Sequence, residues 1–567
     1  MSSTPVGKRS KDWFDTPELY GWLRRAAFKA EGFEEPSYEG KPIIGICNTW
    51  SELTHCNSHL RDLAESVKIG VWQAGGFPME FPVMSLGEYN MKPTTMLYRN
   101  LLSMDVEESI TANPIDGVVL LGGCDKTTPA LLMGAASADI PSLLVTGGPQ
   151  LKGNWKGEEL GSCTDCRRYE VELRAGTITE DDWAELQSCI VRSSGHCMTM
   201  GTASTMATIG EALGMALPGN AAIPAVDSRR KQMAEAAGRQ IVALSQTDLK
   251  PSKLMTQSAF ENAIRCVHAI GGSTNSIIHL IAIAGRVGID LPLELFDELS
   301  KTTPFLLNLK PSGQYLMEDF YYAGGVPALM NRISHLLDLD NVTVTGKTLG
   351  QNIAGQEAHL PDVIRTVDEA LDPEGGLAVL YGNLAPTGAI IKPTAASPDL
   401  MVHTGRAVVF NDHDDLFARI DDPNLDVTPN DVLVMKNGGP IGAPGLPEWG
   451  FLPIPKKILA TGIRDMVRIS DARMSGTAFG TVVVHVSPES ANGGPLSAVE
   501  DGDQITLDVP NRRLSLDISD SEMDARIKAN FEKGPEFKRG FKWLHARHIT
   551  QADKGCDFDF LRAESLQ

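Results

Sequence analysis

The sequence predicts a two-domain protein of the α/β class. An N-terminal α/β/α domain on a parallel sheet spans residues 1–365. A C-terminal, mainly β, barrel-like domain with flanking helices spans residues 366–567. Three observations predict this. Short apolar runs alternate with helical ones from Lys41 to Ser228, helical patterns dominate from Ile223 to Leu339, and short strand-like runs punctuated by glycine turns follow Val363. A chain of 567 residues also exceeds what one ordinary core organises.

In order, "PIIGIC" reads as a buried strand, "HLRDLAESVKIGVWQAGG" as an amphipathic helix, "GVVLLGG" as a second strand, "PALLMGAASA" as a helix and "PSLLVTGG" as a third strand. This is the βαβ rhythm of a parallel sheet covered on both faces. "MAEAAGRQIVAL" and "SAFENAIRCVHAI" continue the first domain as helices. The texture changes over Val363–Gly376. "DPEGGLAVLYGNLAPTGAIIK", "GRAVVF", "DVLVMKNGGP", "GTVVVHVSP" and "DQITLDVPNRRLSLDI" then predict a barrel or a sandwich. No low-complexity linker separates the halves, which predicts a large fixed interface. The sequence carries no fixed-period repeat.

Fifty-one basic residues against 72 acidic ones give a net charge of −21. That excludes nucleic acid and anionic membranes as main partners, though not a small anionic substrate held in one cationic pocket. Nine scattered cysteines form no disulfide framework and fit a reducing compartment with metal or catalytic use. "MSSTPVGKRSKDWFDTPELY" has no signal-peptide core, and no apolar run approaches the ~18–20 residues of a membrane span. A cytoplasmic protein is expected.

The stretch "LLGGCDKTTPALLMGAA" sets Cys124, Asp125 and Lys126 on a glycine turn between a strand and a helix, with Thr128 as predicted N-cap and Pro129 at the first helical position. Ligands bind at the carboxyl ends of strands in open α/β sheets. Cys56 in "WSELTHCNSHLRDL" and Cys197 in "RSSGHCMTMGTASTMATIGEALG" occupy similar loop-to-helix junctions, where a helix N-terminus favours a thiolate. A closed structural zinc site takes four ligands, whereas three cysteines leave the open position of a catalytic metal or cluster. Cys163 and Cys166 form a CxxC that reads either as a zinc pair without a second half or as an ordinary loop. Cys47, Cys189 and Cys266 read as packing residues, and Cys556 carries no signal.

Glu88 in "PVMSLGEYNMKPTT" and Glu448 in the irregular "NGGPIGAPGLPEWGFLPIP" join Asp125 as hard oxygen ligands suited to Mg²⁺; each also reads as a surface carboxylate. Ser475 in "ISDARMSGTAFGTVVVHVSP" is a candidate reactive serine, although the string is no serine-hydrolase elbow. "GGSTNSIIHL" reads as an anion cradle or as a helix N-cap.

Together "THCNSHL", "GGCDKTTPA", "GHCMTMGTASTM", "AIGGSTNSIIHL", "GGLAVLYGNLAPTGAIIK" and "SDARMSGTAFG" resemble the dihydroxy-acid dehydratase/6-phosphogluconate dehydratase family, in the family's order and over residues 43–486. The resemblance implies that Cys56, Cys124 and Cys197 hold an iron–sulfur cluster. It implies that Glu88, Asp125 and Glu448 bind Mg²⁺ with a carbamylated Lys126, and that Ser475 is the base with Thr477 beside it. Cys56 is present as in [2Fe–2S] members; a [4Fe–4S] cluster is the alternative. Gly87-Glu88 stands where branched-chain members carry Asp-Gly. With "MTMGTAST" and "GSCTDCRRYE", this looks like the sugar-acid branch, the arabinonate and xylonate dehydratases.

The implied activity is conversion of a small 2,3-dihydroxy acid to a 2-keto-3-deoxy acid by a hydro-lyase, working as a homodimer or homotetramer. Two alternatives stand beside it: a dihydroxy-acid dehydratase of branched-chain amino-acid synthesis, and a non-catalytic metal-binding or redox protein.

Overall fold

The computed structural model describes residues 8–14, 16 and 18–566. The run "IIGICN" forms strand β1 (Ile43–Asn48), buried at every position. It pairs in parallel with β2 (Phe77–Pro82) on one side and with β3 (Gly117–Gly122) on the other. β3 pairs in parallel with β4 (Ser142–Thr146), so the sheet order is β2-β1-β3-β4. Helices cover both faces, which is why β1 and β3 show no polar alternation. A Cβ on Gly117 would meet Ile241 of helix Ser228–Leu244, and one on Gly122 would meet Leu131 of helix Thr127–Ala138.

Glycines set the spacing of the first helical layer. Helix Leu60–Gln73 approaches helix Ser228–Leu244 so closely that a Cβ on Gly70 would lie 1.9 Å from the Glu235 carbonyl oxygen, and one on Gly238 2.2 Å from that of Val67. Further helices fill the predicted helical stretch, among them Gln257–Ala269, Asn275–Arg286 and Leu293–Lys301. A short hairpin, β5 (Gly153–Trp155) with β6 (Glu158–Leu160), was not expected.

One predicted boundary is corrected. The helix after the "GGCDK" turn is Thr127–Ala138 with Lys126 at the N-cap, so Thr128 and Pro129 lie inside its first turn. The Cys124 carbonyl accepts from the Thr127 and Thr128 amides at 3.1 and 3.3 Å, closing the turn without a side-chain cap. Pro129 is tolerated because the first N–H groups of a helix have no intrahelical acceptor.

The C-terminal part is a closed eight-stranded barrel. Its strands are β7 (Ala378–Gly382), β8 (Ala385–Ile391), β9 (Val402–Phe410), β10 (Val432–Met435), β11 (Arg468–Ser470), β12 (Val482–Ser487), β13 (Gln504–Asp508) and β14 (Arg513–Leu516). They close in the order β10-β11-β12-β8-β7-β14-β13-β9. Leu380, Ile391, Val434, Ile469 and Leu507 fill the interior. Val379, Ile390, Met474, Val482 and Val484 instead join the core of the N-terminal helices, so the barrel wall packs directly against those helices.

β9, β10, β11 and β12 are parallel neighbours. Parallel strands cannot be joined by tight hairpins. The connections leaving the carboxyl ends of β10 and β11 are therefore long, and they carry Glu448 and Ser475 respectively. Among the described residues no helix is long and apolar enough to cross a membrane.

The glycine contact between the two helices yields a stability prediction. Gly238→Ala forces a methyl against the Val67 carbonyl and is expected to cost ~1–3 kcal/mol, the usual penalty of overpacking. A thermal melt checks this; an unchanged Tm contradicts the close-packed reading.

Candidate active site

Cys124 stands just past the carboxyl end of β3, and the turn it opens leads into helix Thr127–Ala138. Cys56 lies in the single turn His55–Asn57 ahead of helix Leu60–Gln73, and Cys197 lies five residues before helix Thr202–Ala212. All three sulfurs sit near helix N-termini, where the dipole favours negative charge. Cys56 and Cys124 are 3% and 2% exposed. The Cys56 thiol is pushed well up, by its hydrogen bond to Cys124 and by burial, and the charge of Cys197 acts on it as well. The three predicted cysteines therefore share one locus, with Cys56 and Cys124 buried and Cys197 half-buried.

A fourth cysteine joins them. Cys163, the N-cap of helix Thr164–Ala175, brings its sulfur within 3.5 Å of Cys197 Sγ. That hydrogen bond holds Cys197 below the ordinary thiol range, against burial. Cys166, the other half of the CxxC, packs instead beside Trp155, Tyr169 and Leu186. Within the CxxC, Cys163 therefore pairs with Cys197 while Cys166 packs among apolar side chains.

Next to the sulfurs lies a ring of charge. Lys126 Nζ, on a side chain with no exposure, is 3.2 Å from Asp125 Oδ2, 3.3 Å from Glu88 Oε2 and 3.6 Å from Glu448 Oε1. Burial and Arg473 push the ammonium down, but the three carboxylates outweigh them and keep it charged. Arg473, also without exposure, donates from Nη1 to Glu448 Oε1 at 2.5 Å and from Nη2 to Glu88 Oε1 at 3.2 Å. Thr94 Oγ1 accepts from the same Nη2 at 2.8 Å, and Thr95 donates to Glu88.

The two glutamates diverge in this field. Burial raises both, but Arg473 and Lys126 reverse it for Glu448, which falls to about 2. Glu88 stays raised, because burial and the repulsion of Glu448 exceed what the two cations supply.

Ser475 lies in the connection from β11 to β12, two residues beyond Arg473. Its Oγ is 2.9 Å from Thr477 Oγ1. The stretch "GGSTN" holds this loop: Asn275 Nδ2 donates to the Met474 carbonyl at 3.1 Å and to Thr202 Oγ1 at 2.9 Å. A Cβ on Gly476 would fall 2.5 Å from Ser273 Oγ, so only glycine allows the approach. Thr164, which follows Cys163, donates its hydroxyl to the Thr477 carbonyl at 2.9 Å. The serine loop thus docks on both the helix that begins after Cys163 and the helix that begins after Cys197.

Among the described residues no three cysteine, histidine or carboxylate groups stand around one ready-made ion site. Cys163 and Cys197 stand as a thiol pair, and the Lys126 ammonium lies amid the three carboxylates. Soft sulfur donors for a polynuclear centre and hard oxygen donors for Mg²⁺ lie side by side, joined by the Cys124-Asp125-Lys126 turn. Arg473 and Tyr89 were missed from sequence, and Cys163 was read only as half of a CxxC. Their only signals were adjacency to Ser475 and Glu88, and the loop-to-helix setting that Cys163 shares with the three predicted cysteines.

Fold and site define an enzyme that assembles its chemistry from loops at the carboxyl ends of strands in two domains. The chain belongs to the dihydroxy-acid/6-phosphogluconate dehydratase family: the N-terminal family model matches residues 41–352 and the C-terminal model residues 362–556. It is accordingly a hydro-lyase. It is 54% identical to the L-arabinonate dehydratase of Rhizobium leguminosarum bv. trifolii over 98% of this chain and 97% of that one. It is 52% identical to the L-arabonate dehydratase of Azospirillum brasilense, over 99% and 98%. It is 48% identical to the 6-deoxy-6-sulfo-D-gluconate dehydratase of Pseudomonas putida, over 98% and 96%.

Removing the guanidinium leaves Glu88 and Glu448 facing each other with one cation fewer. Arg473→Gln is expected to cost about 3–5 kcal/mol, the range for breaking a buried ion pair. Thermal or urea unfolding checks this, and a loss below about 1 kcal/mol, the scale of an exposed pair, contradicts the role given to Arg473.

Proposed function

We propose that this chain dehydrates sugar acids, aldonates such as L-arabinonate or D-xylonate, to 2-keto-3-deoxy acids, with an iron–sulfur cluster and Mg²⁺ as cofactors. The observation that carries the reading is the adjacency of the two donor sets across the Cys124-Asp125-Lys126 turn. Cys56, Cys124 and Cys197 would hold the cluster, of the [2Fe–2S] type. Glu88, Asp125, Glu448 and a carbamylated Lys126 would hold Mg²⁺. When bound, the two groups supply a Lewis acid for the departing C3 hydroxyl and positive charge for the developing enolate.

The protein's own residues do the rest. Ser475 takes the C2 proton; beside cations its ionised form is favoured, which an isolated serine would not achieve. Thr477, 2.9 Å away, holds the Ser475 oxygen in place. Charge balance supports the carbamate. Three carboxylates facing the ammonium of Lys126 and the guanidinium of Arg473 leave one net negative charge. With Lys126 as a carbamate, four anionic groups facing Mg²⁺ and Arg473 leave the same.

The substrate class draws support from the 48–54% identical relatives that act on sugar acids. A cavity of about 180 Å³ beside Glu448 has a mixed wall, with Arg167, Glu170 and Arg468 set among apolar residues such as Leu416, Trp449 and Ile454. Such a lining offers hydrogen bonds and aromatic faces to a polyol tail, where a purely apolar pocket would favour a branched alkyl group. The exposed apolar residues Leu19, Tyr20 and Trp22 on helix Leu19–Ala30 favour a homodimer or homotetramer. We place the enzyme in the cytoplasm.

Two measurements test the reading. Ser475→Ala is expected to keep its iron and magnesium and to lose ~10²–10⁴-fold in kcat, the usual share of a general base, whereas a loss below about tenfold assigns the base elsewhere. Assayed side by side for 2-keto-acid formation, arabinonate or xylonate is expected to exceed 2,3-dihydroxyisovalerate in kcat/KM. Equal or better turnover of dihydroxyisovalerate transfers the enzyme to the branched-chain class.

A further inference from the structure

Cys163 and Tyr89 have no part in the chemistry described above, yet the structure holds both against it. Cys163 is a non-glycine residue at φ 61°, ψ −46°, in the positive-φ region that side chains avoid. Strain of this kind persists only where the surroundings over-determine it, and it clusters at functional sites. This conformation puts Cys163 Sγ 3.5 Å from Cys197 Sγ. Tyr89, the neighbour of Glu88 in the chain, sets its hydroxyl 2.7 Å from Cys163 Sγ and 3.4 Å from Cys197 Sγ. The Tyr89 ring lies 5.1 Å from that of His55, whose Nε2 is 3.7 Å from Cys56 Sγ. One exposed face of the thiol locus is therefore built by Cys163 and Tyr89.

We propose that Cys163 and Tyr89 are positioning residues for the cluster: they form a hydrogen-bonding shell around the Cys197 sulfur and do not ligate iron. The inference rests on the cluster assigned under the proposed function. A hydrogen bond to a ligand sulfur withdraws electron density and favours the reduced, more negative state. Orientation of the sulfur follows from the same contacts. Ligation by Cys163 would instead fill the coordination position that the departing hydroxyl needs.

The test uses anaerobically purified holoenzyme of wild type, Cys163→Ala, Cys163→Ser and Tyr89→Phe, with Cys197→Ser prepared alongside as the iron-loss control. Iron content, visible spectrum and midpoint potential are read for each. The first four are expected to carry the same iron. Cys163→Ala and Tyr89→Phe are expected to show a lower potential and shifted charge-transfer bands. Cys163→Ser, whose hydroxyl still donates, is expected to return most of the shift.

Iron loss in Cys163→Ser as complete as in Cys197→Ser overturns the inference and makes Cys163 a ligand. Unchanged potential and spectrum in iron-replete Cys163→Ala and Tyr89→Phe overturn it as well. Should Cys163→Ala fail to fold, Tyr89→Phe decides by the same criterion. A colourless, iron-free wild type overturns the cluster reading itself, and is thereby distinguished from failure of this inference alone.

Discussion

The side chains of Lys126 and Arg473 are buried without exposure against Glu88, Asp125 and Glu448, and the rest of the structure is arranged so that they can be. Taking each ion out of water costs several kcal/mol, which only well-placed partners offset. The partners come from four separated stretches: the loop after β2, the turn after β3, the connection from β10 to β11 and the connection from β11 to β12. No single domain supplies the set. The apolar contact that joins the barrel wall to the N-terminal helices is what brings all three carboxylates within 4 Å of Lys126.

The sulfur locus obeys a related constraint. Cys56, Cys124, Cys163 and Cys197 each stand a few residues before a helix, so four helix N-termini converge on one locus. Partial positive charge at those termini favours thiolates and any anionic centre they hold. The carboxylate ring begins one residue further along, at Asp125. A single turn therefore carries a soft sulfur donor on its first residue and a hard oxygen donor on its second, with no room for a linker between them.

Much of this was legible in the sequence. "GVVLLGG" followed by "CDK" carries its own strand, turn and ligand types, because a continuous apolar run reports burial on both faces. The β texture after Val363 likewise predicted a barrel or sandwich, and the strands do begin at Ala378. Closure and parallel order were not readable, since pairing partners hundreds of residues apart leave no local trace. The same holds for Arg473, whose partners Glu88 and Glu448 are set by topology. Cys163 hid for another reason: CxxC directs attention to Cys166, whereas the sulfur nearest Cys163 is that of Cys197, 34 residues along the chain. The N-cap error at Thr128 arose because the Cys124 carbonyl closes the turn, which no side-chain pattern announces.

The central claim is that sulfur and oxygen donors form one two-metal pocket spanning both domains. Anomalous diffraction at the iron edge, from crystals of anaerobically purified enzyme grown with Mg²⁺, tests it most directly. The account predicts an iron signal bounded by the sulfurs of Cys56, Cys124 and Cys197, and a light ion among Glu88, Asp125, Glu448 and a modified Lys126. An iron signal confined to Cys163 and Cys166, or none at all with Lys126 still an ammonium amid the carboxylates, contradicts it.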